Sequence, residues 1–177
     1  MALPDGVDTL HAVLSYEGAA REVIAGLKYR NARGSLGQLA AAMAADVPPV
    51  ALVTWVPTTA ARSRQRGFDQ AEMLASAVAA RLERPCVRLL ARGPGAPQTG
   101  RSLGARLAGP VLRLVASVDG LEVLIVDDVV TSGATMAGAA RALREGGASR
   151  VHGVAAAATP RTLGLSPATR SGPWTSP

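Results

Sequence analysis

The sequence predicts an α/β fold in which an open, mostly parallel sheet is flanked by helices. Residues 123–126 are four apolar residues in a row, as in a strand that is buried on both faces. Residues 50–57 form a second such run, and residues 150–158 form a third. Segments with apolar residues at helical spacing lie between these runs, and this alternation is typical of parallel sheets with crossover helices.

The first part of the chain predicts one strand and two helices. The strand covers residues 10–16, and residues 17–29 form a helix with one apolar face. Lys28 lies at the C-terminal end of this helix, where a cation either compensates the helix dipole or contacts an anionic ligand. A second helix is predicted over residues 35–45, and the two prolines that follow at positions 48 and 49 end it.

Three arginines follow the strand predicted over residues 50–57. Arg62, Arg64 and Arg66 alternate in a loop before residues 67–70, which open an amphipathic helix that runs through Leu82. Ligands of open α/β sheets bind outside the carboxyl ends of the strands, so a cationic cluster at a strand exit favours phosphate recognition. A solvated basic loop is the alternative interpretation.

A third buried segment is predicted as a strand over residues 85–90, and Cys86 within it is interpreted as a small buried apolar residue. Residues 91–110 then contain eight glycines and prolines, too many for a stable helix or strand. Because Gln98 and Arg106 give this segment polar chemistry, we interpret it as a mobile lid, with a plain flexible loop as the alternative.

The most distinctive chemistry follows the strand at residues 123–126. Asp127 and Asp128 are predicted to stand where that strand ends, and a turn over residues 131–135 leads into a helix over residues 136–143. The unpaired N–H groups of a helix N-terminus bind anions, and Gly133 permits a positive φ and a close approach to a ligand. The turn therefore predicts a phosphate site.

The two aspartates would repel a phosphate, so they need a different role. They suit the hydroxyl groups of a sugar, or a magnesium ion held through water, if the phosphate belongs to a phosphorylated sugar. An ordinary N-capped helix after a buried strand is the alternative, but it does not account for the paired acids.

The chain is expected to form a domain over residues 1–159, followed by a mostly disordered tail over residues 160–177 that lacks hydrophobic periodicity. The preceding helix stops at Gly146 and Gly147. His152 lies near the start of the last strand, at the wrong end for the predicted site, and is interpreted as structural.

Composition narrows the functional classes. The formal net charge of +6 comes almost entirely from arginine, because Lys28 is the only lysine, and a basic excess favours an anionic ligand or an arginine-rich solvated surface. One cysteine excludes an internal disulfide and a cysteine-rich zinc site. No signal pattern and no apolar run of about 20 residues occurs, so we expect a cytoplasmic protein without membrane insertion.

Residues 123–135 resemble the phosphoribosyl pyrophosphate (PRPP) motif of the type I phosphoribosyltransferases at every characteristic position. Residues 16–158 as a whole resemble the ComF branch of these proteins, which is associated with competence and DNA uptake. The opening residues 16–18 and 27–30, residues 56–57 with 66–70, and the segment 98–106 carry this wider resemblance. It implies the type I phosphoribosyltransferase-like fold, with a flexible loop over the active site.

The resemblance also assigns roles to individual residues. Asp127 and Asp128 would be the catalytic residues facing the ribose hydroxyls and, directly or through water, magnesium. The 5-phosphate would lie on Thr131, Ser132, Gly133, Ala134 and Thr135. The pyrophosphate and the closing loops would involve Lys28, Arg62, Arg64, Arg66, Gln98 and Arg106.

The sequence departs from the family pattern at two positions, Asp69 and Gly109, where asparagine is expected, and this affects contacts to the acceptor. It also shows no cysteine-rich zinc module, so no zinc is expected. We therefore predict transfer of a phosphoribosyl group from PRPP to an unidentified acceptor, with a homodimer as a common assembly of such enzymes. The alternative is a protein that binds PRPP or a nucleotide without turnover, or associates with single-stranded DNA or competence proteins.

Overall fold

A four-stranded parallel sheet forms the centre of the protein. The structure is a computed structural model that describes residues 3–18, 33–58, 69–93 and 111–159. Elements are numbered in chain order within these ranges. The sheet has the order β1-β6-β5-β2, and its strands are β1 (Thr9–Ser15), β2 (Leu52–Trp55), β5 (Glu122–Val130) and β6 (Arg150–Ala158).

Helices cover both faces of this sheet, as the sequence predicts. They are α1 (Arg33–Ala44), α2 (Gln70–Leu82) and α3 (Ala134–Glu145). Val123 and Ile125 of β5 pack in the core on the α3 side, whereas Leu124 and Val126 pack in the core with α1 and α2. Adjacent residues of a strand point to opposite faces, so the uninterrupted apolar run is explained by burial on both sides.

Strand β5 is longer than the sequence analysis predicts. Asp127 and Asp128 lie inside it, because β6 continues to pair with β5 as far as Val130 and Ala158. Strand β2, on the other side, ends where Trp55 pairs with Val126. From Asp127 onwards β5 has therefore lost its neighbour on the β2 side, and a cleft opens there.

The third predicted strand, over residues 85–90, is wrong in its extent. Residues 85–90 make a single parallel bridge, between Cys86 and Val53, because the Thr54 hydroxyl then accepts the N–H of Leu89 in place of a backbone carbonyl. The chain turns into a separate antiparallel pair that the sequence analysis does not predict, β3 (Leu90–Arg92) and β4 (Leu112–Leu114).

Two interpretations of single side chains have different outcomes. Cys86 is half-buried rather than fully buried, and burial raises the pKa of its thiol above the ordinary value. His152 is fully buried, and its Nδ1 lies 2.9 Å from the Thr9 hydroxyl in the N-terminal half of the sheet. This bond between β6 and β1 fits a structural role for the histidine.

The N-terminal residues pack along α3. Ion pairs join Asp5 to Arg141 and Asp8 to Arg144, and Pro4 lies against the glycine that begins the helix. The helix ends as predicted, with Gly147 at a φ of +91°. Contacts with the N-terminal residues thus fix α3, and they also fix the turn that precedes it.

Several predicted features lie outside the described residues: nearly all of the helix at 17–29, the arginine loop, most of the lid and the tail. None of the helices within the described ranges is long and apolar enough to cross a lipid bilayer.

Candidate functional site

A polar cleft of about 520 Å³ lies where β2 ends beside β5. Its walls come from the exits of β1 and β2, the start of α2, the end of β3 and the second half of β5. Parallel sheets place ligand sites at this edge, so the cleft is the candidate functional site. The polar residues that line it are Tyr16, Thr58, Asp69, Gln70, Arg92, Asp127, Asp128, Thr131 and Thr135.

Asp127 and Asp128 form an acidic pair at the floor of the cleft. Asp127 is only 9% exposed, and its Oδ1 accepts a 2.9 Å hydrogen bond from the backbone N–H of Asp128. Asp128 Oδ1 accepts a 2.7 Å bond from the N–H of Val129. Burial, and then the charge of Asp128, raise the pKa of Asp127 well above its ordinary value, while Arg92 opposes the shift.

The turn after β5 has the geometry of an anion site. Gly133 has φ +76° and ψ −5°, and α3 begins at the next residue. The first N–H of the helix that reaches an intrahelical acceptor belongs to Ala137, which donates to the Gly133 carbonyl at 2.8 Å. The N–H groups before it carry the positive end of the helix dipole, and a pocket of about 20 Å³ lies against them, next to Asp127.

Contacts from Thr159, which directly follows β6, hold this turn in place. The Thr159 hydroxyl donates to the Thr131 carbonyl at 3.0 Å, and the Thr159 N–H donates to the Val130 carbonyl at 3.0 Å. Ser132 Oγ accepts a longer bond, 3.4 Å, from the N–H of Ala134. A turn that is fixed before a ligand arrives loses little conformational freedom on binding.

The predicted site residues divide into two groups. Asp127, Asp128, Thr131 and Thr135 line the main cleft, and Ser132, Gly133 and Ala134 complete the small pocket beside it. One strand and one turn therefore bring all seven residues of the predicted motif together. The other six lie outside the described residues: Lys28, Arg62, Arg64, Arg66, Gln98 and Arg106.

Arg92 is a site residue that the sequence analysis missed. It lines the cleft at the end of β3, its charge acts on Asp127, and its Nε donates a 2.7 Å hydrogen bond to the carbonyl of Pro57. The sequence contained one signal for it, since Arg92 directly follows three buried apolar residues at a strand exit. Assigning residues 91–110 as a whole to a lid obscured that signal.

Asp69 also has a defined place in the cleft wall. Its Oδ1 accepts a 3.1 Å bond from the N–H of Ala71 and so caps α2, and its Oδ2 accepts a 2.8 Å bond from the N–H of Thr58. Both carboxylate oxygens are used. The replacement of asparagine by aspartate at this position thus coincides with a local structural role.

The acidic pair fits a magnesium ion that is held mainly by ligand oxygens and water. Magnesium prefers oxygen donors and is usually bound by one or two carboxylates together with phosphates. The raised pKa of Asp127 shows that positive charge beside the pair would be favourable. In the ranges that the structure describes, no cluster of three or more acidic, histidine or cysteine side chains offers a complete metal site.

The buried carboxyl group of Asp127 predicts a pH-dependent cost to stability. In the unfolded chain the Asp127 carboxyl group loses its proton at about pH 3.9. In the folded protein it retains the proton to a higher pH, because its pKa is raised. Between these values the folded state binds more protons, so the free energy of unfolding falls as pH rises. Asp127→Asn should remove this fall and be more stable at neutral pH by about 1 kcal/mol, the usual size of a stabilising substitution.

Urea unfolding of the wild type and of Asp127→Asn from about pH 4 to about pH 7 measures this effect, because the range begins near the unfolded pKa. The stability difference should grow with pH in favour of the variant. Parallel curves would contradict the raised pKa. Asp46→Asn, which removes an exposed carboxylate on the surface, is the control and should show no such growth.

Residues 69–169 match the family model described as the phosphoribosyl transferase domain. The chain belongs to this family. The match covers more than half of the sequence and includes the acidic pair, the turn at 131–135 and α3. The parallel sheet with helices on both faces is accordingly the type I phosphoribosyltransferase fold, as the sequence analysis predicts.

A curated relative carries a similar sequence. The competence protein ComFC of Bacillus subtilis (strain 168) is 33% identical over 94 residues, which is 52% of this chain. The aligned part of the chain spans 38% of that relative's length.

Two solved structures also show partial similarity to the chain. A glutamine PRPP amidotransferase from B. subtilis, complexed with ADP and GMP, is 26% identical with a TM-score of 0.49, covering 71% of this chain and 26% of the other. A hypoxanthine phosphoribosyltransferase from Staphylococcus aureus is 15% identical with a TM-score of 0.45, covering 86% and 69%.

Proposed function

We propose that this protein binds PRPP and magnesium in the cleft and transfers the phosphoribosyl group to an acceptor, with release of pyrophosphate. The observation that carries the proposal is the junction of β5 and α3. A buried pair of carboxylates and an anion-binding turn share one continuous stretch of backbone, at the edge of the sheet where ligands bind. A phosphorylated sugar presents both kinds of group, hydroxyls for the carboxylates and a phosphate for the turn.

The two halves of the stretch suit two halves of one ligand. The turn at residues 131–135 would hold the 5-phosphate through backbone N–H groups and hydroxyls, with Gly133 permitting its close approach. Asp127 and Asp128 would accept hydrogen bonds from the ribose hydroxyls. Magnesium, when bound, would neutralise charge on the pyrophosphate.

The reaction breaks the bond between C1 of the ribose and the pyrophosphate oxygen. A nucleophilic atom of the acceptor forms the new bond to C1 and gives up its proton to water or to the released pyrophosphate. The leaving pyrophosphate gains negative charge, while the ribose gains positive charge. Among the described residues that line the cleft, Arg92 carries the positive charge, and it would stabilise the leaving group. The carboxylates of Asp127 and Asp128 face the opposite charge on the sugar. We place this activity in the cytoplasm.

Calorimetric titration tests the proposal with three probes in the presence of magnesium: PRPP, ribose 5-phosphate and pyrophosphate. The wild type should bind PRPP more tightly than either part, because PRPP contacts both the turn and the cation. Arg92→Gln should weaken PRPP by about tenfold, the usual size for loss of one charge-assisted contact, and leave ribose 5-phosphate within about twofold. A wild type that binds no PRPP would overturn the proposal.

Turnover is measured separately, by pyrophosphate release from PRPP in the presence of a panel of nucleobases and amines. Release that depends on one acceptor identifies the substrate. Tight PRPP binding without release for any acceptor would leave a PRPP-binding protein in place of an enzyme.

A second candidate function is association with single-stranded DNA during competence and DNA uptake, alone or with competence proteins. The relative named for competence favours it, as does the net charge of +6. Single-stranded DNA sites usually stack bases on aromatic side chains, whereas this sequence is only 3% aromatic. Contacts to the phosphate backbone of the DNA would therefore dominate.

A salt titration separates this candidate from the first. Binding to the phosphates of a single strand through arginines is lost steeply with salt, by a power of about 0.7 in salt concentration for each phosphate contact. If oligonucleotide affinity falls in this way, and if PRPP displaces the oligonucleotide, the DNA binds in the same cleft. The absence of binding at low salt would exclude the nucleic-acid function.

A further inference from the structure

The peptide group between Pro57 and Thr58 is held on both sides by charged side chains of the cleft. Its carbonyl oxygen accepts from Arg92 Nε at 2.7 Å, and its N–H donates to Asp69 Oδ2 at 2.8 Å. Pro57 is buried and Thr58 is half-buried, so the peptide lies in the wall of the cleft and needs partners for its polar groups. The peptide follows β2, Arg92 ends β3 and Asp69 precedes α2, so three elements that are separate in sequence meet here.

Asp69 itself is fixed by a second bond. Its other oxygen caps α2 through the N–H of Ala71 at 3.1 Å, and the backbone carbonyl of Asp69 accepts from Met73 at 3.1 Å. The carboxylate therefore stands in one orientation relative to the helix. A carboxylate that accepts from one side of a peptide polarises it and makes the carbonyl on the other side a stronger acceptor.

We propose that Asp69 is a positioning residue that orients Arg92 in the cleft through the Pro57–Thr58 peptide. The order of contacts is Asp69, peptide N–H, peptide carbonyl, Arg92 Nε. The hydrogen bond from Nε to the Pro57 carbonyl orients the remaining nitrogens of the Arg92 guanidinium group. The positive charge of this group acts on Asp127. The role of Arg92 toward PRPP rests on the proposed function, whereas its orientation by Asp69 does not.

Aspartate is required for this arrangement because it has two acceptor oxygens. An asparagine has one, and its NH₂ group only donates, so it would cap α2 or hold Thr58 but not both. A serine is a good N-cap with one short oxygen. Asp69→Ser should therefore retain the helix cap and lose the bond to Thr58.

The first readout needs no ligand. The side-chain Nε–H signal of Arg92 is identified in a ¹⁵N–¹H NMR spectrum by its loss in Arg92→Lys. In the wild type it should be protected from solvent exchange, and in Asp69→Ser its exchange should be about tenfold faster, because protection measures how often the bond opens. Glu72→Gln removes an exposed charge from the same helical turn and should leave the signal unchanged.

The second readout is a double-mutant cycle on PRPP affinity. Asp69→Ser should weaken binding about fivefold, within the range for residues of one hydrogen-bond network, and should have almost no effect in the Arg92→Gln background. An unchanged Arg92 signal in Asp69→Ser, with only a lower Tm, would reduce Asp69 to a helix cap and overturn the inference. Equal losses of affinity in both backgrounds would do the same.

The two proposals fail separately. If the wild type binds no PRPP, the proposed function is wrong, and the NMR comparison alone decides whether Asp69 orients Arg92. If PRPP binds and the Arg92 signal is insensitive to Asp69, the function stands and the positioning role is wrong.

Discussion

Asp127→Asn/Asp128→Asn is expected to reduce PRPP affinity by about 100-fold or more, because a hydrogen bond to a charged group contributes roughly 1.5–3 kcal/mol and each 1.4 kcal/mol is a factor of ten. Two such acceptors are lost at once. Asparagine retains the shape of aspartate and the oxygen that accepts from the next backbone N–H, so both local bonds of the strand are kept. The effect on binding should therefore reflect charge rather than misfolding.

Calorimetry with PRPP and magnesium measures the loss, and thermal unfolding of the free protein accompanies it. The double variant should unfold at a higher temperature than the wild type, because two adjacent carboxylates, one of them buried, are neutralised. Lower affinity with higher stability is typical of a functional site and opposite to the result for a disrupted fold. Asp46→Asn/Glu145→Gln removes two exposed charges elsewhere and should keep the wild-type affinity. Unchanged PRPP binding in the Asp127/Asp128 variant would remove the acidic pair from the site.

The sequence predicts the part of the site that is built from residues close together in the chain. The acidic pair, the glycine and the first turn of α3 are contiguous, so their arrangement is largely fixed by the local backbone. Arg92 and Asp69 could not be placed in this way, because the bond from Arg92 to Pro57 spans 35 positions and that from Thr58 to Asp69 spans 11. Such contacts depend on how β2, β3 and α2 pack together.

The same distinction explains the errors in the fold. An apolar run identifies a buried strand, but its end depends on its neighbours: β6 extends β5 through Asp127 and Asp128. At residues 85–90 the run continues while the pairing stops, because a Thr54 side chain takes the next N–H. The β3–β4 pair joins strands on either side of a glycine- and proline-rich segment, and each is too short to show a period.

Gly133→Ala is expected to weaken ribose 5-phosphate and PRPP to a similar extent, by at least about tenfold. Gly133 has a φ of +76°, where a side chain costs roughly 1–2 kcal/mol, and an added Cβ would lie 3.1 Å from Pro4 Cγ. The backbone would relax away from this conformation, and the turn that precedes α3 would change shape. Since the 5-phosphate is common to both ligands, both should be affected.

Gly120→Ala is the matched control, because Gly120 has a φ of +70° in the turn before β5 and an added Cβ there meets no atom within 4 Å. It carries the same backbone strain without a ligand nearby. Both variants should therefore lose stability in urea unfolding, by roughly 1–2 kcal/mol, while only Gly133→Ala loses affinity for ribose 5-phosphate. Equal affinities in the two variants would show that the turn at residues 131–135 does not hold the phosphate, even if PRPP binds elsewhere in the cleft.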